Sequence, residues 1–231
     1  MKNIIILFFI KHPFLVDLNM NIKNKICVGL DIDDPKNLYK IMGSIIHTQK
    51  YAFCYKINPA FFLGHQISLE KTISYLKENN LKWIYDGKIG DVTHTNEKYS
   101  KYIYEKLGAH GCTLNPYVGK EALEPFLKYK DKYNFLLCRT TNKGSELLQK
   151  ESYKKVYKIA QETGSGLVIP GNKLEYLEDA ITNNPNTLIL SPGIGSQGGK
   201  ITLNNNNVIY NISRSIINSK DVEKEIKKYA L

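Results

Sequence analysis

The chain has 231 residues, of which 42% are hydrophobic and 23% charged. That is ordinary for a soluble globular protein and long enough for one large α/β domain. Its formal net charge is +10, yet the lysines are dispersed, with only short pairs such as Lys154-Lys155 and Lys227-Lys228. Without a longer basic run, an aromatic-basic motif or zinc-finger spacing, nucleic-acid binding is not expected as the main function.

Near the start, Ile4 to Ile10 form an apolar run behind Lys2. The run is too short to span a bilayer, and no small-residue cleavage site follows it. Residues 1–24 therefore read as an N-terminal extension or a helix packing on the domain, with Met20 as an alternative start, and residues 25–231 as the domain itself.

From Ile26 onward, strand-like and helix-like segments alternate. Residues 26–31 form a short apolar run ending in Asp31, and 35–49 have helical spacing, with Pro35 suited to a first turn. A strand over 51–57 ends at Asn58-Pro59, and a helix follows over 67–79. The third strand covers 82–88, and its helix 94–107. The fourth strand, 111–115, stops at Pro116 before a helix over 119–130. The fifth, 133–138, leads into Arg139-Thr140-Thr141-Asn142 and a helix within 144–163. The sixth, 166–169, ends in Pro170-Gly171-Asn172, with a helix to about residue 183. The seventh, 187–191, precedes a Gly-rich loop over 192–199. The eighth, 208–212, precedes a last helix over 213–229.

Eight strand–helix units without a linker predict a parallel sheet with right-handed crossovers, closed into a (βα)8 TIM barrel. No G-x-G-x-x-G follows the first strand, which counts against a dinucleotide-binding sheet.

In such a barrel the working groups sit at the C-terminal ends of the strands. Those ends carry Asp31; Lys56 and Asn58; Asp86, Lys88 and Asp91; Asn115; Thr140, Thr141 and Asn142; Ser191 and Pro192; and Ser213 with Arg214. The densest stretch is Asp86-x-Lys88-x-x-Asp91. A strand's period of two puts Asp86 and Lys88 on one side, and buried charges there are costly unless they pair or work. The Gly-rich loop could bring backbone N–H groups to a phosphate. Ser213-Arg214, opening a helix, could do the same with a guanidinium.

Cys27, Cys54, Cys112 and Cys138 lie in apolar strand-like runs without C-x-x-C spacing, so buried, reduced thiols in a cytoplasmic protein are expected. The five histidines form no H-x-H or H-E-x-x-H pair, and no dedicated metal site is expected. Asn211-Ile212-Ser213 matches a glycosylation sequon that a cytoplasmic chain would not use.

Several segments, in order, resemble the orotidine 5'-phosphate decarboxylase family: Gly29-Leu30-Asp31, Lys56-Ile57-Asn58-Pro59-Ala60-Phe61, Asp86-x-Lys88-x-x-Asp91 with Thr95, Thr140-Thr141-Asn142, Leu190-Ser191-Pro192-Gly193-Ile194-Gly195-Ser196-Gln197, and Ser213-Arg214. The resemblance implies decarboxylation of orotidine 5'-monophosphate to uridine 5'-monophosphate without metal or organic cofactor. It implies Lys88 as proton donor, Asp86 against the departing carboxylate, and Lys56 and Asp91 completing a Lys-Asp-Lys-Asp array. It further implies a homodimer with shared active sites, in which Asp91 and Thr95 reach the partner's ribose. Asp31 and Asn58 would bind ribose or the carboxylate region. Thr141 and the backbone of Ser191-Pro192 would meet the base, and Gln197 and Arg214 the phosphate. The partners implied are a small nucleotide and a second copy of the chain, with neither nucleic acid nor membrane. The sequence departs from the family pattern at Thr93-His94, Lys143 and Ser213. Two alternatives stand beside this reading. One is a Mg-dependent sugar-phosphate decarboxylase or aldolase of the same superfamily, and the other an inactive barrel that binds phosphate ligands or nucleic acid.

Overall fold

The computed structural model describes residues 25–32, 37–201 and 205–230. The expectations for residues 1–24 and for Pro35 fall outside them. Eight strands pair in parallel and in sequence order, and β8 closes back onto β1. They are β1 (Lys25–Gly29), β2 (Ala52–Ile57), β3 (Trp83–Ile89), β4 (Gly111–Leu114), β5 (Tyr133–Leu137), β6 (Gly166–Val168), β7 (Ile189–Ser191) and β8 (Val208–Ile212). The TIM barrel expected from the alternation of elements is the fold.

The outer ring comprises α1 (Leu38–Thr48), α2 (Gln66–Glu78), α3 (Thr93–Ser100), α4 (Lys120–Leu127), α5 (Glu146–Thr163), α6 (Leu174–Asn183), α7 (Arg214–Ile217) and α8 (Val222–Ala230). Two helices differ from expectation. α3 continues as a π-helical turn over Lys101–Lys106. The last helix, expected unbroken over 213–229, splits into α7 and α8. Asp221 accepts the backbone N–H of Lys224 at 2.9 Å and so starts a new helix.

The period of two along each strand divides the core into two shells. Outward residues such as Ile26, Val28, Tyr55, Trp83 and Leu136 pack against the helices. Burying each aliphatic or aromatic side chain of this kind stabilises the fold by roughly 1.5–3 kcal/mol. Inward residues Cys27, Cys54, Ile84, Tyr133, Phe135, Leu190 and Ile209 form a separate apolar plug. Gly166 faces that plug without a side chain, because a Cβ there would lie 2.7 Å from the rings of Tyr133 and Phe135. All four cysteines are buried and free. The sequon asparagine, Asn211, is buried in β8.

Candidate active site

One step further along the inward rows, the plug gives way to polar groups. Cys54 is followed by Lys56, Ile84 by Asp86, Gly111 by Thr113, and Ile209 by Asn211. These four polar residues line a cavity of ≈ 350 Å³ at the C-terminal end of the barrel. The apolar plug beneath excludes water, so charges here face a floor of low dielectric.

Asp86 is the hub. One carboxylate oxygen accepts from Lys56 Nζ at 2.5 Å, and the other from Lys88 Nζ at 2.8 Å and Thr113 Oγ1 at 2.8 Å. Asp31 lies 3.7 Å from Lys56 Nζ. Burial alone would push the Asp86 carboxyl upward, but the two ammonium groups outweigh it and hold the group well below the usual carboxylate range. Burial alone would lower the Lys56 ammonium, but Asp86 and Asp31 hold it above its ordinary value. Lys56 and Asp86 are thus both ionised in the buried wall, while the Lys88 side chain is 43% exposed towards the cavity.

Asp86 and Lys88 do meet, but not through a regular pleat. Lys88 has φ +49°, a left-handed conformation, and the β3–β4 register shifts between Tyr85 and Ile89. The bulge needs Gly87, where a Cβ would come within 2.5 Å of the Tyr85 ring. The Lys88 N–H donates to Thr113 Oγ1 at 3.0 Å, which anchors the bulge to β4.

Of the other residues singled out in the sequence, Asp31, Asn58, Thr141, Pro192, Gln197 and Arg214 line the same cavity. Ser191 does not. It faces away from the barrel axis, buried beside Gly171, while its neighbour Leu190 lines the wall. Asp91 and Thr95 also lie outside the lining. Asp91 instead accepts the N–H of Val92 at 2.7 Å, where the chain turns into α3.

The Gly-rich loop is knitted to itself. Gly195 donates to the carbonyl of Gly199 at 3.0 Å, Gly198 to that of Gly195 at 2.9 Å, and Gly199 to that of Gly193 at 3.0 Å. Ser196 N–H goes to Ser215 Oγ at 2.9 Å. Gly193, Gly195 and Gly198 hold φ values of +87°, +75° and +85°, which favour glycine. These four N–H groups are spent on loop shape, and the polar residues of this region that line the cavity include Ser196, Gln197, Ser213 and Arg214.

Thr113 and Asn211 also line the cavity, although no motif in the sequence marks either as a site residue. Their signal was position alone, as polar residues on inward rows of strands otherwise apolar. Among the described residues no cluster of three or more His, Cys, Asp or Glu side chains could hold a metal ion.

Comparison with known proteins gives a consistent picture. The family model described as "Orotidine 5'-phosphate decarboxylase / HUMPS family" matches residues 24–229. An orotidine 5'-phosphate decarboxylase of Bacteroides fragilis is 34% identical, over 78% of this chain and 77% of its own. The solved Leishmania donovani OMP decarboxylase is 28% identical with a TM-score of 0.79, covering 90% of this chain and 91% of that one. The Leishmania donovani UMP synthase matches with a TM-score of 0.84 at 30% identity over 89% of this chain, which spans 52% of that longer protein.

Proposed function

Because the chain belongs to the orotidine 5'-phosphate decarboxylase / HUMPS family, we propose that it decarboxylates orotidine 5'-monophosphate to uridine 5'-monophosphate, the last step in building that nucleotide. The observation that carries this reading is the ionic row Lys56–Asp86–Lys88 in the cavity wall.

Loss of CO2 from C6 of the pyrimidine leaves a carbanion with little resonance relief. Lys88, fixed by Asp86, places an ammonium where that charge develops and then gives C6 its proton. Asp86, kept ionised by Lys56 and Lys88, faces the departing carboxylate. Asp31 and Asn58 serve the ribose, Thr141 and Pro192 the base, and Gln197 and Arg214 the phosphate. Phosphate contacts remote from C6 supply binding energy that is used in the transition state.

The working unit is a homodimer. Asp91 and Thr95 sit outside their own chain's cavity wall, next to Val92 and Tyr99, which are 65% and 40% exposed. Covering that apolar face with a second copy would carry Asp91 and Thr95 towards the neighbouring site and complete the four-residue array. No helix among the described residues is long and apolar enough to cross a membrane, and the place of action is the cytoplasm.

A spectrophotometric assay with orotidine 5'-monophosphate, with and without EDTA, tests the reading. Turnover unaffected by chelator is expected. No turnover, or turnover of a sugar phosphate only with Mg2+, would overturn it.

A further inference from the structure

Behind the strand-five turn lies a second ionic cluster. The Arg139 side chain is fully buried, which is costly for a cation unless it is compensated. Its guanidinium lies over the ring of Tyr176 on α6, 4.0 Å from the centroid, and its Nη2 bonds the carboxylate of Glu146. Its Nε and Nη1 have no hydrogen-bond partner among the described residues. Glu146 also takes Lys173 Nζ, which donates to Ser145 Oγ at 2.9 Å. Glu146 is therefore the counter-charge for two cations, one from the end of β5 and one from the β6–α6 turn. Hydrogen bonds from Arg139 and Lys173 hold its carboxyl low, at about 2.

Three residues on, and so on the same face of α5, Gln149 Oε1 accepts the N–H of Thr140 at 2.8 Å. Its Nε2 donates to Thr140 Oγ1 at 3.0 Å. The first turn of α5 thus grips both Arg139 and Thr140, which line the cavity wall together with Thr141. The Thr141 methyl lies 3.3 Å from the point where a Cβ on Gly193 would stand, so the turn also meets the strand-seven loop.

We infer that Glu146, with Arg139 and Lys173, is a positioning device that sets the Thr140–Thr141 turn against the pyrimidine ring. The inference rests on the reading of the cavity as a pyrimidine-nucleotide site. Arg139 borders the cavity, but its guanidinium is engaged by Tyr176 and Glu146, so it acts through the turn and not on the substrate. Neutralising Glu146 leaves a buried guanidinium without its counter-charge, and the turn that follows Arg139 shifts with it.

The test is Glu146→Gln, which keeps shape and hydrogen-bonding capacity and alters a carboxylate that is 47% exposed. Arg139→Lys is the companion variant, keeping charge but losing the planar fork. Binding of uridine 5'-monophosphate and of ribose 5-phosphate is measured by calorimetry, beside kcat and KM. For both variants we expect the nucleotide Kd and the KM to rise about tenfold, the worth of one charge-assisted hydrogen bond, with ribose 5-phosphate binding and kcat within about twofold. Equal weakening of both ligands would mean general loosening of the fold and would overturn the inference, as would unchanged nucleotide binding. A wild-type protein that binds no uridine 5'-monophosphate would overturn the functional reading itself, whatever the variants do.

Discussion

Thr113 donates its hydroxyl to Asp86 at 2.8 Å and accepts the backbone N–H of Lys88 at 3.0 Å, so one side chain on β4 holds both ends of the β3 bulge. Thr113→Val keeps the shape and removes both bonds. With Asp86 and Lys88 less well held, kcat should fall by about 10- to 100-fold, with KM changing much less. A kcat within twofold of wild type in steady-state assays would contradict this role.

Lys88→Ala removes the ammonium proposed to protonate C6 while leaving the Lys56 and Asp86 side chains, paired at 2.5 Å, in place. Decarboxylation should drop below detection while uridine 5'-monophosphate still binds in calorimetry. Near-wild-type turnover would refute the assignment of the proton donor.

Arg214 lines the cavity together with Gln197. In Arg214→Ala, nucleotide monophosphates should lose about 10- to 100-fold in affinity, the range for hydrogen bonds to a charged group. Uridine, which lacks the phosphate, should bind as it does to wild type. Equal losses for the two ligands would contradict a phosphate contact.

Acid stability should follow His110 and Asp86. Burial, with Lys132 and Lys82 nearby, lowers the His110 imidazolium from 6.5 to about 4. The folded value lies below the unfolded one, so His110 contributes stability above about pH 6.5 that is lost as pH falls towards 4. Asp86 is also depressed in the fold. Its contribution is present above about pH 4 and is lost in more acid solution. Urea midpoints across this range should therefore decline in two stages, and His110→Gln should flatten the first. An unchanged profile in that variant would exclude His110 as the source.

Mixing inactive Lys88→Ala and Asp91→Ala chains tests site sharing. If the site takes Lys88 from one chain and Asp91 from the other, each mixed dimer regains one intact site, and random pairing gives roughly a quarter of wild-type activity. Mixed dimers verified by mass spectrometry but without activity would argue for sites contained within one chain.

Much of this architecture is legible in the sequence because barrel strands alternate strictly. The inward rows that begin at Cys54 and Ile84 can be followed residue by residue to Lys56 and Asp86. Register and loop conformation are not legible in the same way. That Thr113 lies beside Lys88 depends on a shift in β3–β4 pairing, which no local pattern encodes. Arg139 reads as part of a polar turn, and only the packing of α5 and α6 turns it inward. The split between α7 and α8 is masked because no Pro or Gly interrupts residues 213–229. The loop over residues 192–199 reads as open backbone because glycine marks permissive φ but says nothing of where the N–H groups go.

The left-handed backbone at Lys88 carries a consequence for how this protein can change. A side chain in that region costs about 1–2 kcal/mol that glycine would not. The residue proposed as proton donor thus sits at a position whose backbone conformation favours glycine. Glycine there would relieve the strain but would also remove the 2.8 Å bond from Lys88 Nζ to the buried Asp86, so the fold trades backbone ease for a paired charge.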